Sequence, residues 1–250
     1  MKKLFFILFA GVILFSVSCQ NKKSQDDSAK EEEKVAQDDG WVALFDGTST
    51  VGWRGVNKDS LPGAWGIQDG TLHCTGSGMG EAGAENGGDI LYDKKFSNFH
   101  MKLEWKISEG GNSGIFYLGQ EVAGDPIWRY APEYQVLDNE RHPDAMLGKD
   151  GNRQAGSLYD LIPADPQNAK PAGEWNTCEI MVYKGTVIHK QNGEVVVEYH
   201  LWTPEWNELV ANSKFPEYNP DWANVAKEGY IALQDHGDDV WYRNIMIKEL

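Results

Sequence analysis

Beyond Asp39 the chain alternates apolar and polar residues with a period of two. Phe99 to Ile107 reads FHMKLEWKI, with Phe99, Met101, Leu103, Trp105 and Ile107 on one face and His100, Lys102, Glu104 and Lys106 on the other. Such alternation predicts a half-buried strand. The segment CEIMVYKGTVIHKQNGEVVVEYH predicts three more strands joined by tight turns at Lys184-Gly185 and Asn192-Gly193, because paired turn residues of this type supply the positive φ that two-residue hairpin loops need. At the C-terminal end, GYIAL and VWYRNIMIKEL flank Asp235-His236-Gly237-Asp238-Asp239 and read as a last hairpin. One helix is expected. Thr203 is a good N-cap, Pro204 suits the first helical position and Glu205 favours the positive end, with termination near Asn212.

Many short strands, Gly-rich turns and one short helix predict an all-β fold, a two-sheet antiparallel jelly-roll sandwich. No composition shift or repeat interrupts the sequence from Gly40 to Leu250, which is expected to be a single domain.

The N-terminal pattern is different in kind. Lys2 and Lys3 precede an apolar run from Leu4 to Val17, which is short for a membrane span and fits a secretory signal over residues 1–18. Ser16-Val17-Ser18-Cys19 resembles a bacterial lipobox, with Cys19 as the lipidated residue, although Ser16 stands where Leu is usual. Residues 19–39 lack aromatics and are expected to be a disordered tether. Together these predict an exported lipoprotein of the bacterial cell envelope, touching the membrane through its anchor alone.

The net charge of −15 argues against nucleic acid, which requires clustered Lys and Arg. Cys74 and Cys178 both fall in strand-like sequence; an oxidising compartment allows either a bridge or two buried thiols.

Candidate chemistry is carried by a few polar residues in apolar settings. In APEYQVLDNERHPDA, Glu133 and Gln135 share one strand face, costly unless that face is wet or holds a polar ligand. Gln135 cannot complete the carboxylate pair of a conventional glycosidase, although Glu104 or Asp235 could reach across the sheet. Asn112 opens a strand where it could meet sugar hydroxyls, and Asp138 and His142 follow the Glu133 strand closely. At the last turn, Gln234, Asp235, His236 and Arg243 accompany one another, with His236 a candidate base near neutral pH. The Gly-rich stretch from Gly76 to Tyr92 is long enough to be a lid. No ligand spacing marks a metal site; a divalent ion would need scattered donors such as Glu133, Asp235 or His236.

Several of these segments, GWVALFDGTSTVGWRG, FHMKLEWKISEGGNSGIFYL, APEYQVLDNERHPDA, AGSLYDLIPA and GYIALQDHGDDVWYRNIMIKEL among them, occur in an order that resembles the 3-keto-disaccharide hydrolase family from Gly40 to Leu250. The resemblance implies a concanavalin-like sandwich in a secreted or lipid-anchored bacterial enzyme. It implies a carbohydrate substrate, a glycoside already oxidised at C3. It also carries over Glu104, Asn112, Glu133, Gln135, Asp138, Gln234, Asp235, His236, Arg243 and Asn244 as site residues. Lys190 and Gln191 depart from the family's usual hairpin, an expectation of an altered ligand contact there.

A C3 ketone acidifies the C2 hydrogen, so one base can start an elimination that expels the C1 substituent. The expected base is His236 or Glu133, with Arg243, Gln135 or a divalent ion stabilising the enolate. The alternatives are a non-catalytic carbohydrate-binding module of the same fold, with Trp53, Trp65, Trp128 and Trp202 as stacking platforms, and a conventional glycosidase.

Overall fold

The computed structural model describes residues 39–78 and 83–250. The expected leader, Cys19 and nearly all of the tether lie outside the described residues. Among the described residues no helix is long and apolar enough to cross a membrane.

In chain order the strands begin with β1 (Val42–Phe45), β2 (Trp53–Gly55), β3 (Trp65–Gln68), β4 (Thr71–Cys74), β5 (Ile90–Phe96), β6 (Phe99–Ile107) and β7 (Asn112–Gly119). They continue with β8 (Glu133–Leu137), β9 (Asn176–Tyr183), β10 (Thr186–Gln191), β11 (Glu194–His200), β12 (Gly229–Leu233) and β13 (Val240–Glu249). One sheet runs β11-β10-β9-β6-β13-β4-β3, with β1 also pairing to β13; the other runs β2-β5-β12-β7-β8. Every neighbouring pair is antiparallel. The all-β sandwich expected from the alternation is present.

The apolar face of β6 enters the core between the sheets, where Phe99, Met101, Leu103, Trp105 and Ile107 are buried with Tyr134 and Val136 of β8. The outer face of the five-stranded sheet is also partly covered. Leu91, Phe116 and Ala232 pack there under Ile127 and Ala131, brought over by a 3-10 turn at Ile127–Tyr130. This second layer explains why every residue of β7 and β8 is buried.

Both expected tight turns form, with φ of +49° and +90° at Lys184 and Gly185 and +50° and +86° at Asn192 and Gly193. Helix α1 (Pro204–Ala211) begins at Thr203, whose hydroxyl accepts from Trp206 N at 3.1 Å. A second short helix, α2 (Phe215–Tyr218), was not expected. Cys74 and Cys178 are buried free thiols, so no bridge joins them.

The last hairpin is not a hairpin. β12 belongs to the five-stranded sheet and β13 to the eight-stranded one, so residues 234–239 cross from one sheet to the other. Alternation alone could not distinguish these outcomes, since both leave two strands around a Gly- and Asp-containing turn. The correction relocates everything carried by β13.

Candidate active site

A cleft of about 390 Å³ opens on the five-stranded sheet, a volume suited to a small ligand. Its lining includes Asp89, Asn112, Glu133, Gln135, Gln234, Asp235 and His236 from the sheet and its loops. Trp128, Tyr159, Lys214, Phe215 and Tyr218 close the other side.

Strand alternation places Glu133 and Gln135 here, because Tyr134 and Val136 take the core side of β8. Burial holds the Glu133 carboxyl well above its ordinary range, against a smaller opposing pull from Lys214. Gln135 is engaged on both ends of its amide: Nε2 donates to Arg153 O at 3.3 Å and Oε1 accepts from Val136 N at 3.1 Å. Asn112 begins β7; its backbone N–H donates to Asp238 Oδ2 at 3.0 Å, while its side-chain Oδ1 is buried and unpartnered. Gln234 Oε1 and His236 Nδ1 are likewise buried without partners. Buried polar atoms without partners are uncommon in folded proteins, and three along one cleft mark a surface built to meet a ligand.

Asp89 was not foreseen from the sequence. It stands just before β5, and its Oδ1 accepts from Asp235 N at 3.0 Å. Burial pushes its carboxyl up to about 7, the range of a base or acid working near neutrality. The only sequence hint was an acid leading directly into the apolar run Ile90-Leu91.

Tyr159 was also missed, lying in irregular chain after β8, and so were Lys214, Phe215 and Tyr218, which belong to the unexpected helix α2 and its N-cap. Lys214 Nζ donates to Tyr159 OH at 3.1 Å, and Tyr159 OH donates to Asp144 Oδ2 at 2.9 Å. Arg153 backs this chain, binding Asp144 at 2.7 Å and also Asp160. Burial draws the Lys214 ammonium below its ordinary range.

Asp235 lines the cleft, yet its carboxylate is committed to backbone. It accepts from Ala84 N at 3.0 Å, Gly88 N at 2.6 Å and Gly237 N at 3.0 Å. It anchors the described part of the Gly-rich loop against the sheet-to-sheet link. Asp138 does not line the cleft. Its carboxylate accepts from Gly110 N at 2.7 Å and Glu140 N at 3.1 Å, fixing the turns that carry Asn112 and His142. His142 and His236 have ring centroids 6.1 Å apart. With Asp238 they form a group of candidate metal donors whose ligand atoms all lie within 4.8 Å of one another. The residues able to hold an ion thus include His236, but neither Glu133 nor Asp235.

Three expected site residues lie elsewhere. Arg243, Glu104 and Asn244 form a cluster on the eight-stranded sheet: Arg243 Nε donates to Glu104 Oε2 at 2.9 Å and Asn244 Nδ2 donates to Glu104 Oε1 at 2.7 Å. The Arg243 guanidinium also sits 4.0 Å from the centroid of Trp175. Arg243 pairs directly across from Glu104 on β6, a consequence of β13 joining the other sheet. Of the four tryptophans considered as platforms, Trp53 and Trp65 are core residues and Trp202 is outside the cleft, leaving Trp128. Gln191 is fully buried and accepts from Tyr134 OH at 3.1 Å, so the hairpin's departure alters packing and no cleft contact.

The 3-keto-alpha-glucoside-1,2-lyase-like domain family matches residues 40–248. The chain belongs to this family. A Bacteroides thetaiotaomicron protein named 3-keto-disaccharide hydrolase is 48% identical, with all of both chains covered. Two crystal structures of candidate glycosyl hydrolases from Parabacteroides distasonis share the fold. One is 28% identical with a TM-score of 0.73, covering 84% of this chain and 94% of that one. The other is 26% identical with a TM-score of 0.55, covering 85% and 84%. Membership bears out the resemblance read in the sequence, although the family's motif residues divide between the cleft and the opposite sheet.

Proposed function

We propose that the cleft cleaves glycosides already oxidised to a ketone at C3, by elimination followed by hydration. The chain is a glycoside-cleaving enzyme of hydrolase or lyase type, as its family and its relative named 3-keto-disaccharide hydrolase support. The carrying observation is that Asp89 and Glu133 line one cleft with both carboxyls pushed up by burial. Elimination needs a base at C2 and an acid at the departing oxygen, each close to its switching point at the working pH.

Asp89 takes the C2 proton, acidified by the neighbouring ketone. The C1–O bond breaks, and the leaving oxygen takes the proton held by Glu133 and departs as an alcohol. Water then adds at C1, giving a proton to the Glu133 carboxylate, while Asp89 returns its proton to C2. The sum is hydrolysis, with both residues restored. Lys214 brings positive charge toward the enolate oxygen, the role the sequence offers to Arg243, Gln135 or a divalent ion. Asn112, Gln135 and Gln234 hold hydroxyls, with Trp128 and Tyr218 as the apolar wall.

Asp89 also gives one specific ground for a second reading, a conventional glycosidase, because it supplies the second carboxyl that Gln135 could not. One assay separates the two: release of product from a 3-keto-glucoside and from the same unoxidised glucoside, by the native protein and by D89N and E133Q. The proposal expects turnover of the oxidised sugar alone, loss of 10²-fold or more in each variant, and a rate lowered by deuterium at C2. Turnover of the unoxidised sugar, or full activity in both variants, would reject it. Tight binding without turnover would favour a binding module.

A further inference from the structure

We infer that His142, His236 and Asp238 hold a divalent first-row transition ion, such as Mn²⁺, Co²⁺ or Zn²⁺, at the wall of the cleft. The three donors come from two parts of the chain. His142 follows β8 by a short loop, while His236 and Asp238 lie on the link between the two sheets. Yet their ligand atoms fall within 4.8 Å of one another, so small side-chain movements bring them to the about 3.3 Å between neighbouring ligands of a tetrahedral ion with bonds of about 2.05 Å. Two imidazoles with a carboxylate match borderline transition ions better than Mg²⁺ or Ca²⁺, which favour all-oxygen shells.

A second observation points the same way. Asn112 is 5% exposed, and its Oδ1 has no partner; Gln234 Oε1 and His236 Nδ1 are buried and unpartnered too. The two amide oxygens can only accept, and His236 Nδ1 has a lone pair in one neutral tautomer. These unpartnered acceptors leave lone pairs free to meet a cation or its bound water. Asn112 is tied to the proposed donors directly, since its N–H donates to Asp238 Oδ2 at 3.0 Å. That bond also fixes how the carboxylate is turned, as outer partners of metal ligands do.

One existing contact must yield. His142 Nδ1 accepts from Asp144 N at 3.1 Å, so in the neutral ring Nε2 carries the proton. The ion can take the Nδ1 lone pair, or Nε2 once the proton has crossed to Nδ1. Either route costs that one neutral hydrogen bond, little against a metal–nitrogen bond. Neighbouring acids favour the positive charge: Asp138 and Asp144 face His142, and Asp239 adjoins Asp238.

The inference deepens the proposed reaction and rests on it only for the ion's use, which would be to draw negative charge from the ketone oxygen. The ion's presence is tested without turnover. The full chain is stripped with EDTA, reloaded with Mn²⁺, Co²⁺ or Zn²⁺ in turn, desalted and assayed for metal content and melting temperature. Expected are about one ion per chain, a raised Tm, and visible absorption bands from the Co²⁺ form. H142Q and D238N, checked for folding by circular dichroism, should bind roughly 10- to 100-fold more weakly. A native protein that retains no ion and shows no Tm shift with any of the three overturns the site. Undiminished binding in both variants overturns the assignment of ligands. Stoichiometric binding without cleavage of a 3-keto-glucoside upholds the site and counts against the reaction.

Discussion

Gly114 on β7 lies beside Glu133 on β8 with no room for a methyl group between them. A Cβ at position 114 would come 2.7 Å from Glu133 Cδ and overlap its carboxylate. The glycine is thus the cavity in which the acid sits. G114A should displace Glu133 while leaving the core side of both strands intact. The expected result is a fall in kcat of about 10²-fold, the usual cost of moving a catalytic group by an ångström, with the circular dichroism spectrum retained. Unchanged kinetics would remove Glu133 from the mechanism.

Asp235 sits in the cleft but is a positioning residue. Three backbone N–H groups converge on it, two from the Gly-rich loop, and a Cβ at Gly87 would overlap its carboxylate. D235A strands those donors. A loss of about 2–3 kcal/mol is expected, together with faster proteolytic nicking near residues 83–88. KM should rise more than kcat falls if the loop only covers the cleft. Denaturant melts and limited proteolysis measure both.

The sandwich was legible because alternation is a local property: β6 and β9 each declare a buried face in their own residues. Sheet membership is not local. Residues 228–250 carry two strands around a turn whether that turn closes a hairpin or crosses between sheets, and only packing decides. That single ambiguity hid that Arg243, Asn244 and Glu104 share the eight-stranded sheet, whereas Gln234 and His236, on the crossing itself, line the cleft. Tyr159 was illegible for a related reason, since irregular chain gives no period from which to read a direction. Asp89 was readable in principle, as an acid adjoining the buried Ile90-Leu91 start of β5.

Arg243 supplies a direct check of that correction. It pairs with Glu104 and stacks on Trp175 on the sheet opposite the cleft. Both partners of the ion pair are partly exposed, and such pairs contribute about 0–1 kcal/mol. R243A should therefore leave kcat/KM within about twofold and lower stability by roughly that amount. A large loss of activity would mean that the opposite sheet participates in the reaction.

Ser16-Val17-Ser18-Cys19 predicts lipid attachment at Cys19. The full chain expressed in a Gram-negative host should incorporate labelled palmitate and fractionate with membranes. C19A should do neither. Incorporation in C19A, or a soluble native protein, would remove the anchor from the account.

The most discriminating pH experiment concerns Asp89. Its carboxyl sits at about 7 in the folded chain because burial penalises the charge, against about 3.9 when unfolded. Between these values the folded state binds more protons, so this residue's contribution to stability is complete below about pH 4 and is lost as pH rises to about 7. Glu133 is shifted in the same direction and adds to the trend. D89N should flatten this slope and gain stability relative to the native protein at pH 8, with little gain at pH 4. Catalysis depends on the same ionisation in the opposite sense. A base must be unprotonated, so kcat/KM should climb through about pH 7, then decline where Glu133 loses the proton it donates. Removing Asp89 should abolish the acidic limb of that profile and leave the alkaline one. An acidic limb that survives in the residual activity of D89N would assign the base to another residue, and His236 would be the first to examine.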